Sequence, residues 1–261
     1  MADDYATQAK GIRILPGMWR PHYPWEQIAW VSPPWPSQDY VWLDFPEAIF
    51  TDSGLLFLSH INPPFPVLFP NPPKVPWEQS ENGISFERVL PNGIAFGGSV
   101  ERWDGVGARL TLFIRNGSDT PLVRIKLQTC AYLRGIKEFA EFTQANKLVH
   151  VPGRGWMPFN EAHATGIETE QFSLGWRSGP KTADLPVMAT VSGETGRVAA
   201  MTWFENTNAL VGNPGHPCMH ADPVFPDLVP GARAEIRGAL MFFDGTVDAF
   251  GEWFVHGGAK G

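Results

Sequence analysis

Residues 109–115, RLTLFIR, alternate between two rows, with Leu110, Leu112 and Ile114 on one and Arg109, Thr111, Phe113 and Arg115 on the other. A period of two sends successive side chains to opposite faces of a strand, so this segment reads as a strand with one face on a core and the other in water. Residues 233–243 repeat the device: Ala234, Ile236, Leu240 and Phe242 share a row, opposed by Arg233, Glu235 and Arg237. GLLFLSHI, residues 54–61, is apolar on both rows, the pattern of a strand buried between layers, with His60 closing one row. Further short strands are predicted in 11–15, 39–50, 83–90, 93–103, 121–133 and 196–205, separated by Gly- and Asn-rich turns, and NGSDTP at 116–121 reads as the turn of an antiparallel pair.

Helical spacing occurs twice, in 136–146, where Ile136, Phe139, Ala140 and Thr143 form a stripe, and in 246–256, where Val247, Phe250 and Phe254 do. No longer self-similarity is evident, which argues against propellers and solenoids. The expected architecture is all-β: an antiparallel β-sandwich of the supersandwich or jelly-roll type, with long loops and two short helices. A length of 261 residues suits a single domain over 1–261. Within it, residues 1–38 form an arm that carries Trp19, Trp25, Trp30 and Trp35 among prolines and must pack on the body.

Composition narrows the function. Charged residues are 18% of the chain and hydrophobic ones 43%, with no apolar run of membrane-spanning length, so a folded protein without a membrane partner is expected. A net charge of −7 and the lack of any basic stripe argue against nucleic acid as a partner. The start, MADDYATQAK, lacks the charged-then-apolar pattern of a secretion leader, which favours the cytoplasm. Two cysteines, Cys130 and Cys218, cannot make a disulfide framework. The 25 prolines and 27 glycines fit many short strands and long loops. Eleven tryptophans supply flat faces on which sugar rings stack as well as ordinary core. The proline-rich run 62–76 is either the lid of a cleft or a strap over an apolar face.

Candidate chemistry concentrates in GNPGHPCMHADP, residues 212–223. His216, Cys218 and His220 stand at alternate positions, and an extended backbone puts all three on one face, roughly 7 Å apart in succession. Two imidazoles and a thiolate are a sound ligand set for one divalent metal, zinc foremost; the same histidines suit acid–base catalysis, and Pro214, Gly215 and Pro217 also allow a purely structural loop. Glu47, in DFPEAIF, is a second catalytic candidate because apolar neighbours raise a carboxyl pKa. Asp222 and Asp227 have turn chemistry as their simpler explanation. Substrate-binding candidates are His60, Trp77, Asn146, His150, Trp156, His163 and Arg177, polar and aromatic groups suited to a polyhydroxylated ligand, with Arg154 beside them. Nucleotide-binding and serine-hydrolase motifs are absent, so no nucleotide cofactor is expected.

The segment 109–133, a strand, Asn-bearing turn and strand, and the segment 216–243, a histidine-bearing loop and long closing strand, together about a fifth of the chain, resemble the galactose-mutarotase-like β-sandwich superfamily of sugar-active proteins. The resemblance implies a carbohydrate ligand in a cleft on a concave sheet, with a histidine and a carboxylate moving protons: His216 or His220 as acid, Glu47 or Asp222 as its partner. The chain departs from aldose 1-epimerases around its middle histidines and in ending on a Trp-bearing helix. The expected activity is that of a carbohydrate epimerase or lyase, with metal assistance as an option. The alternatives are a non-catalytic carbohydrate-binding or accessory subunit, and a structural component that forms a homo-oligomer through the N-terminal arm.

Overall fold

In the computed structural model, which describes residues 9–20, 25–60, 67–164, 177–178, 183–213 and 215–260, the alternating segments form strands of two antiparallel sheets. The strands begin with β1 (Ile14–Gly17), β2 (Ile28–Val31), β3 (Val41–Thr51), β4 (Gly54–Leu58), β5 (Glu78–Gln79) and β6 (Gly83–Val89). The middle of the chain gives β7 (Ala95–Trp103), β8 (Gly107–Arg115), β9 (Lys126–Tyr132), β10 (Lys147–Val151), β11 (Gly155–Pro158) and β12 (Arg177–Ser178). The last are β13 (Val187–Val191), β14 (Val198–Thr202), β15 (Thr207–Gly212), β16 (Cys218–Pro223) and β17 (Arg233–Phe243). One sheet runs β1-β2-β3-β9-β16-β15-β12 with β4 also on β3; the other runs β11-β10-β13-β14-β17-β8-β7-β6-β5. The chain is thus an all-β sandwich.

The alternation read from the sequence sets the faces. Leu110, Leu112 and Ile114 of β8 and Ile236, Leu240 and Phe242 of β17 point into the space between the sheets, where they meet Leu43, Phe45, Ala131 and Met219 of the first sheet. Each large side chain removed from water there contributes about 1.5–3 kcal/mol. The outer face of the second sheet is covered by α2 (Val247–Val255), which lays Phe250 against Ala239 and Met241 of β17. Thr246 caps this helix, its hydroxyl accepting from the Ala249 N–H, so the predicted C-terminal helix forms as its stripe implies.

Three local expectations change. The stripe at 136–146 yields only one 3₁₀ turn, Lys137–Phe139, after another at Leu133–Gly135 that precedes it, because the core takes Ile136 and Phe139 and leaves Phe142 in solvent; a single turn satisfies that contact. The second α-helix is instead α1 (Phe159–Ala164), which the sequence pattern does not predict. The turn at 116–121 does not join an antiparallel pair: β8 pairs with β7 and β17, while β9 lies in the other sheet between β3 and β16. Buried Asn116 carries the chain across, its amide donating to the carbonyls of Thr120 (2.8 Å) and Leu228 (2.9 Å). The N-terminal arm adds β1 and β2 to the first sheet, and Trp35 enters the core. The run 62–76 lies outside the described residues over 62–66; beyond it, Val67 bridges to Leu55.

Candidate functional site

Since Leu43, Phe45, Ala131, Met219 and Ala221 take the core side of the first sheet, the intervening residues face outward. Trp42 and Asp44 of β3, Cys130 and Tyr132 of β9, and Cys218 and His220 of β16 therefore share one surface. Register aligns them: Trp42 opposes Tyr132, which opposes Cys218, and Asp44 opposes Cys130. Between Asp44 and Ala48 the β3–β9 ladder shifts register, and this bulge holds Glu47, only 2% exposed, with its carbonyl accepting from the Ser59 N–H at 2.7 Å.

Two other segments close over this face. The end of β4 brings Ser59, whose hydroxyl donates to Asp44 Oδ2 at 2.8 Å and lies 3.1 Å from His60 Nδ1. The arm brings Arg20, which donates to Asp44 Oδ2 at 2.9 Å and also pairs with Glu26. His60 Nε2 stands 3.7 Å from Glu47 Oε1. Ligand atoms of Glu26, Asp44 and His60 lie within 4.8 Å of one another, as do those of Cys130, Cys218 and His220. Asp222 accepts from the Thr129 N–H at 3.0 Å and lies 3.8 Å from His220 Nδ1. Among the described residues, Asp44 Oδ1, Glu47 Oε2 and Asp222 Oδ2 are buried with no hydrogen-bond partner. Accessibility grades across the cluster: His216 is exposed, Trp19, Arg20, His60 and Tyr132 are half-buried, and Asp44, Glu47, Cys130, Cys218, His220 and Asp222 are buried.

Withdrawal from water dominates the proton affinities. It pushes Asp44 up to about 7 despite the Arg20 guanidinium, and Glu47 well above the carboxylate range although His220 pulls the other way. It lowers His60 to about 3, with Arg20 and His216 adding to the effect. The two thiols diverge: a hydrogen bond between them holds Cys218 well below and Cys130 well above the ordinary thiol value. Burial opposes charge on His220, yet the neighbouring Cys218 and Asp222 outweigh it and raise its pKa well above the usual imidazole value.

The residues singled out from the sequence are dispersed. His220 and Cys218 lie together at the bottom of the cluster, whereas His216 precedes β16 in exposed backbone, its ring 6.2 Å from that of Tyr132. The three sit at different depths, Cys218 and His220 buried and His216 exposed, while both imidazoles act on the Cys218 thiol. Glu47 and His60 come together. His150 and Trp156 are on the far side of the molecule, at the edge of the second sheet beside α2, where His150 Nδ1 meets Asp184 Oδ1 at 2.5 Å and Trp156 packs on Phe250. Trp77 donates its indole N–H to the Ile28 carbonyl, and Asn146 Oδ1 accepts from Lys147 Nζ. Arg154 is exposed in the turn after β10, and Asp227 accepts from the Arg124 N–H. The side chains of His163 and Arg177 lie outside the described residues. Asp44, Arg20, Ser59 and Cys130 were missed. Asp44 and Cys130 carried a signal, a polar and a thiol side chain at alternate positions of the strands VWLDF and LQTCAY.

No protein-family model and no curated protein matches the chain. Among solved structures the fold is similar to that of a protein of Synechocystis, with TM-score 0.49, 8% identity, and 89% of this chain and 96% of that one covered. It is similar to a galactose mutarotase-like protein of Lactobacillus casei, with TM-score 0.47, 8% identity and coverage of 88% and 99%. A galactose mutarotase related enzyme of Lactobacillus acidophilus gives TM-score 0.47, 9% identity and coverage of 90% and 98%.

Proposed function

We propose that this chain is a carbohydrate-active enzyme that moves protons at a sugar or sugar acid, in the manner of an epimerase or lyase, on the outer face of the first sheet. The observation that carries this reading is the disposition of His60 and Glu47, 3.7 Å apart, with the imidazole side chain 13% and the carboxylate 3% exposed. That spacing exceeds a hydrogen bond, and a substrate oxygen set between ring and carboxylate reaches both. Burial drives their affinities apart, raising Glu47 well above the carboxylate range and lowering His60 to about 3, which suits the carboxyl as donor and the imidazole as acceptor. Glu47 donates to one substrate atom while His60 accepts from another; the resulting carboxylate and imidazolium return to their starting forms by reversing the transfers once the opened sugar has rotated, or, after an elimination, by exchanging the proton with solvent. Arg20, engaged by Glu26 and Asp44, fixes the polar edge of this face rather than offering a free fork. Trp19, stacked on Tyr132 at 4.2 Å, and Trp42 beside them form an aromatic rim for the C–H face of a sugar.

The test is proton NMR of aldoses and uronic acids incubated with the protein in D₂O, following anomer exchange, solvent deuterium uptake and elimination. Turnover is expected to fall about 10²–10⁴-fold in His60→Gln and in Glu47→Gln, the span of lost general acid–base catalysis, with KM little changed. Unchanged turnover in both variants removes the assignment. The aromatic rim also favours a second reading, a non-catalytic glycan-binding module; sugar binding that survives both substitutions, with no turnover of any sugar, selects it.

A further inference from the structure

Beneath the His60–Glu47 pair lies a second cluster that this proton chemistry does not use. Cys130 on β9 and Cys218 and His220 on β16 come from adjacent strands, and their donor atoms converge within 4.8 Å. All three are buried, at 3%, 1% and 0% exposure. Two thiols and an imidazole are a poor filling for this outer-face pocket if packing alone is at stake, since an apolar trio spans the same gap without desolvating polar atoms. Around them are the buried carboxylates of Glu47 and Asp222, each with one oxygen lacking a partner among the described residues. Arg20 nearby is engaged by Glu26 and Asp44. This is a buried soft-donor pocket lined by acids.

We propose that Cys130, Cys218 and His220 bind a single thiophilic divalent cation, zinc, and that Asp222 orients the ligating imidazole. Zinc–sulfur bonds of about 2.3 Å and zinc–nitrogen bonds of about 2.0–2.1 Å place tetrahedral donor atoms roughly 3.4–3.8 Å apart, so the observed convergence needs only small side-chain rotations to close. Two thiolates balance the ion's charge in the interior; each thiol releases its proton to solvent as the metal enters. Asp222 is fixed by the Thr129 N–H and faces His220 Nδ1, the carboxylate–imidazole–metal arrangement that leaves Nε2 to the ion. His216 reaches the Cys218 thiol from the exposed side but lies outside the converging trio and is not part of the proposed ligand set. Three protein ligands leave a fourth position, which a water fills.

The site stands independently of the sugar reading. The whole chain, prepared under reducing conditions and loaded with zinc, is expected to retain about one equivalent after dialysis, by elemental analysis. Loaded with cobalt(II), it should show the charge-transfer absorption of cobalt–thiolate bonds and the intense d–d bands of a tetrahedral site. Cys130→Ser and Cys218→Ser should each abolish the thiolate band, while His216→Gln leaves it intact. Because the serine variants can fail to fold, Asp222→Asn, which keeps the acceptor for the Thr129 N–H, serves as the milder probe and should weaken zinc binding by about 10–100-fold. Retention well below one equivalent by the folded wild-type protein, or full retention by folded Cys130→Ser, overturns the proposal. So does a Cys130–Cys218 disulfide that persists through reduction and leaves no thiolate to bind. Loss of sugar turnover in His60→Gln with zinc content unchanged separates the two readings.

Discussion

Asp44 shows how much a single side chain is shaped by its surroundings. In the sequence it is one acid in an apolar strand; in the fold it is fully buried, held by Ser59 and Arg20, and pushed up to about 7 by loss of water. Its folded pKa lies above the unfolded value of 3.8, so between about pH 4 and 7 the native state holds more protons than the unfolded one. The stabilisation that Asp44 gives in its neutral form is complete below pH 4 and is lost as pH rises to 7, a change of a few kcal/mol. Asp44→Asn keeps the size and an acceptor for Ser59 but not the titration. Urea unfolding from pH 4 to 7 should therefore show stability falling with pH more steeply in the wild-type protein than in the variant; parallel curves assign the slope to other groups. Glu47, raised for the same reason, was found from its apolar neighbours in DFPEAIF. His60 was legible as a polar end to a buried strand, but nothing local reveals that it faces Glu47 across the β3–β4 pairing.

At the level of elements, hydrophobic period decided what each segment becomes, and side-chain hydrogen bonds decided where it goes. The segment 116–121 was rightly read as a turn and wrongly as a hairpin, because the alternation of its flanking strands is the same whichever sheet each one joins. Asn116 makes the difference: its amide donates twice, and its Oδ1 accepts from the Ser118 N–H at 3.0 Å and the Ser118 hydroxyl at 2.7 Å. Asn116→Ala removes two donated bonds, though the Thr120 carbonyl keeps the Ser118 hydroxyl and the Leu228 carbonyl keeps the Leu122 N–H, and is expected to lower stability by about 1–3 kcal/mol in denaturant titrations; a loss below about 0.5 kcal/mol contradicts the role given to Asn116. The stripe at 136–146 shares its period with the C-terminal helix, yet only the latter has an N-cap, at Thr246, and a sheet face to cover along its length. Thr246→Ala should cost that helix about 1 kcal/mol, read as a lower melting temperature.

Across the whole molecule, the site is a product of strand order. The segments 41–51, 126–132 and 218–223 are distant in sequence and adjacent in the first sheet, so Asp44, Cys130 and His220 meet only when that sheet is assembled. The N-terminal segment belongs to the same unit. It supplies two strands, the core residues Ile28, Val31 and Trp35, and the Arg20–Asp44 pair. Removal of residues 1–38 is thus expected to prevent folding, giving a chain without a cooperative thermal transition in circular dichroism. A deletion product that melts cooperatively near the full-length temperature contradicts this integration.

The sequence by itself determined the class of fold and the orientation of individual strands, because a period of two states which side chains face the core whatever the neighbouring strand is. It also determined that Cys218 and His220 fall on one side of their strand, while Asp222, read as a turn residue, proves to belong to that strand as well. Tertiary structure alone decided which strands pair, that Cys130 rather than His216 completes the buried trio, and that His150 and Trp156 face away from it. Partner choice depends on packing both sheets at once, a non-local free energy that no short window of residues contains.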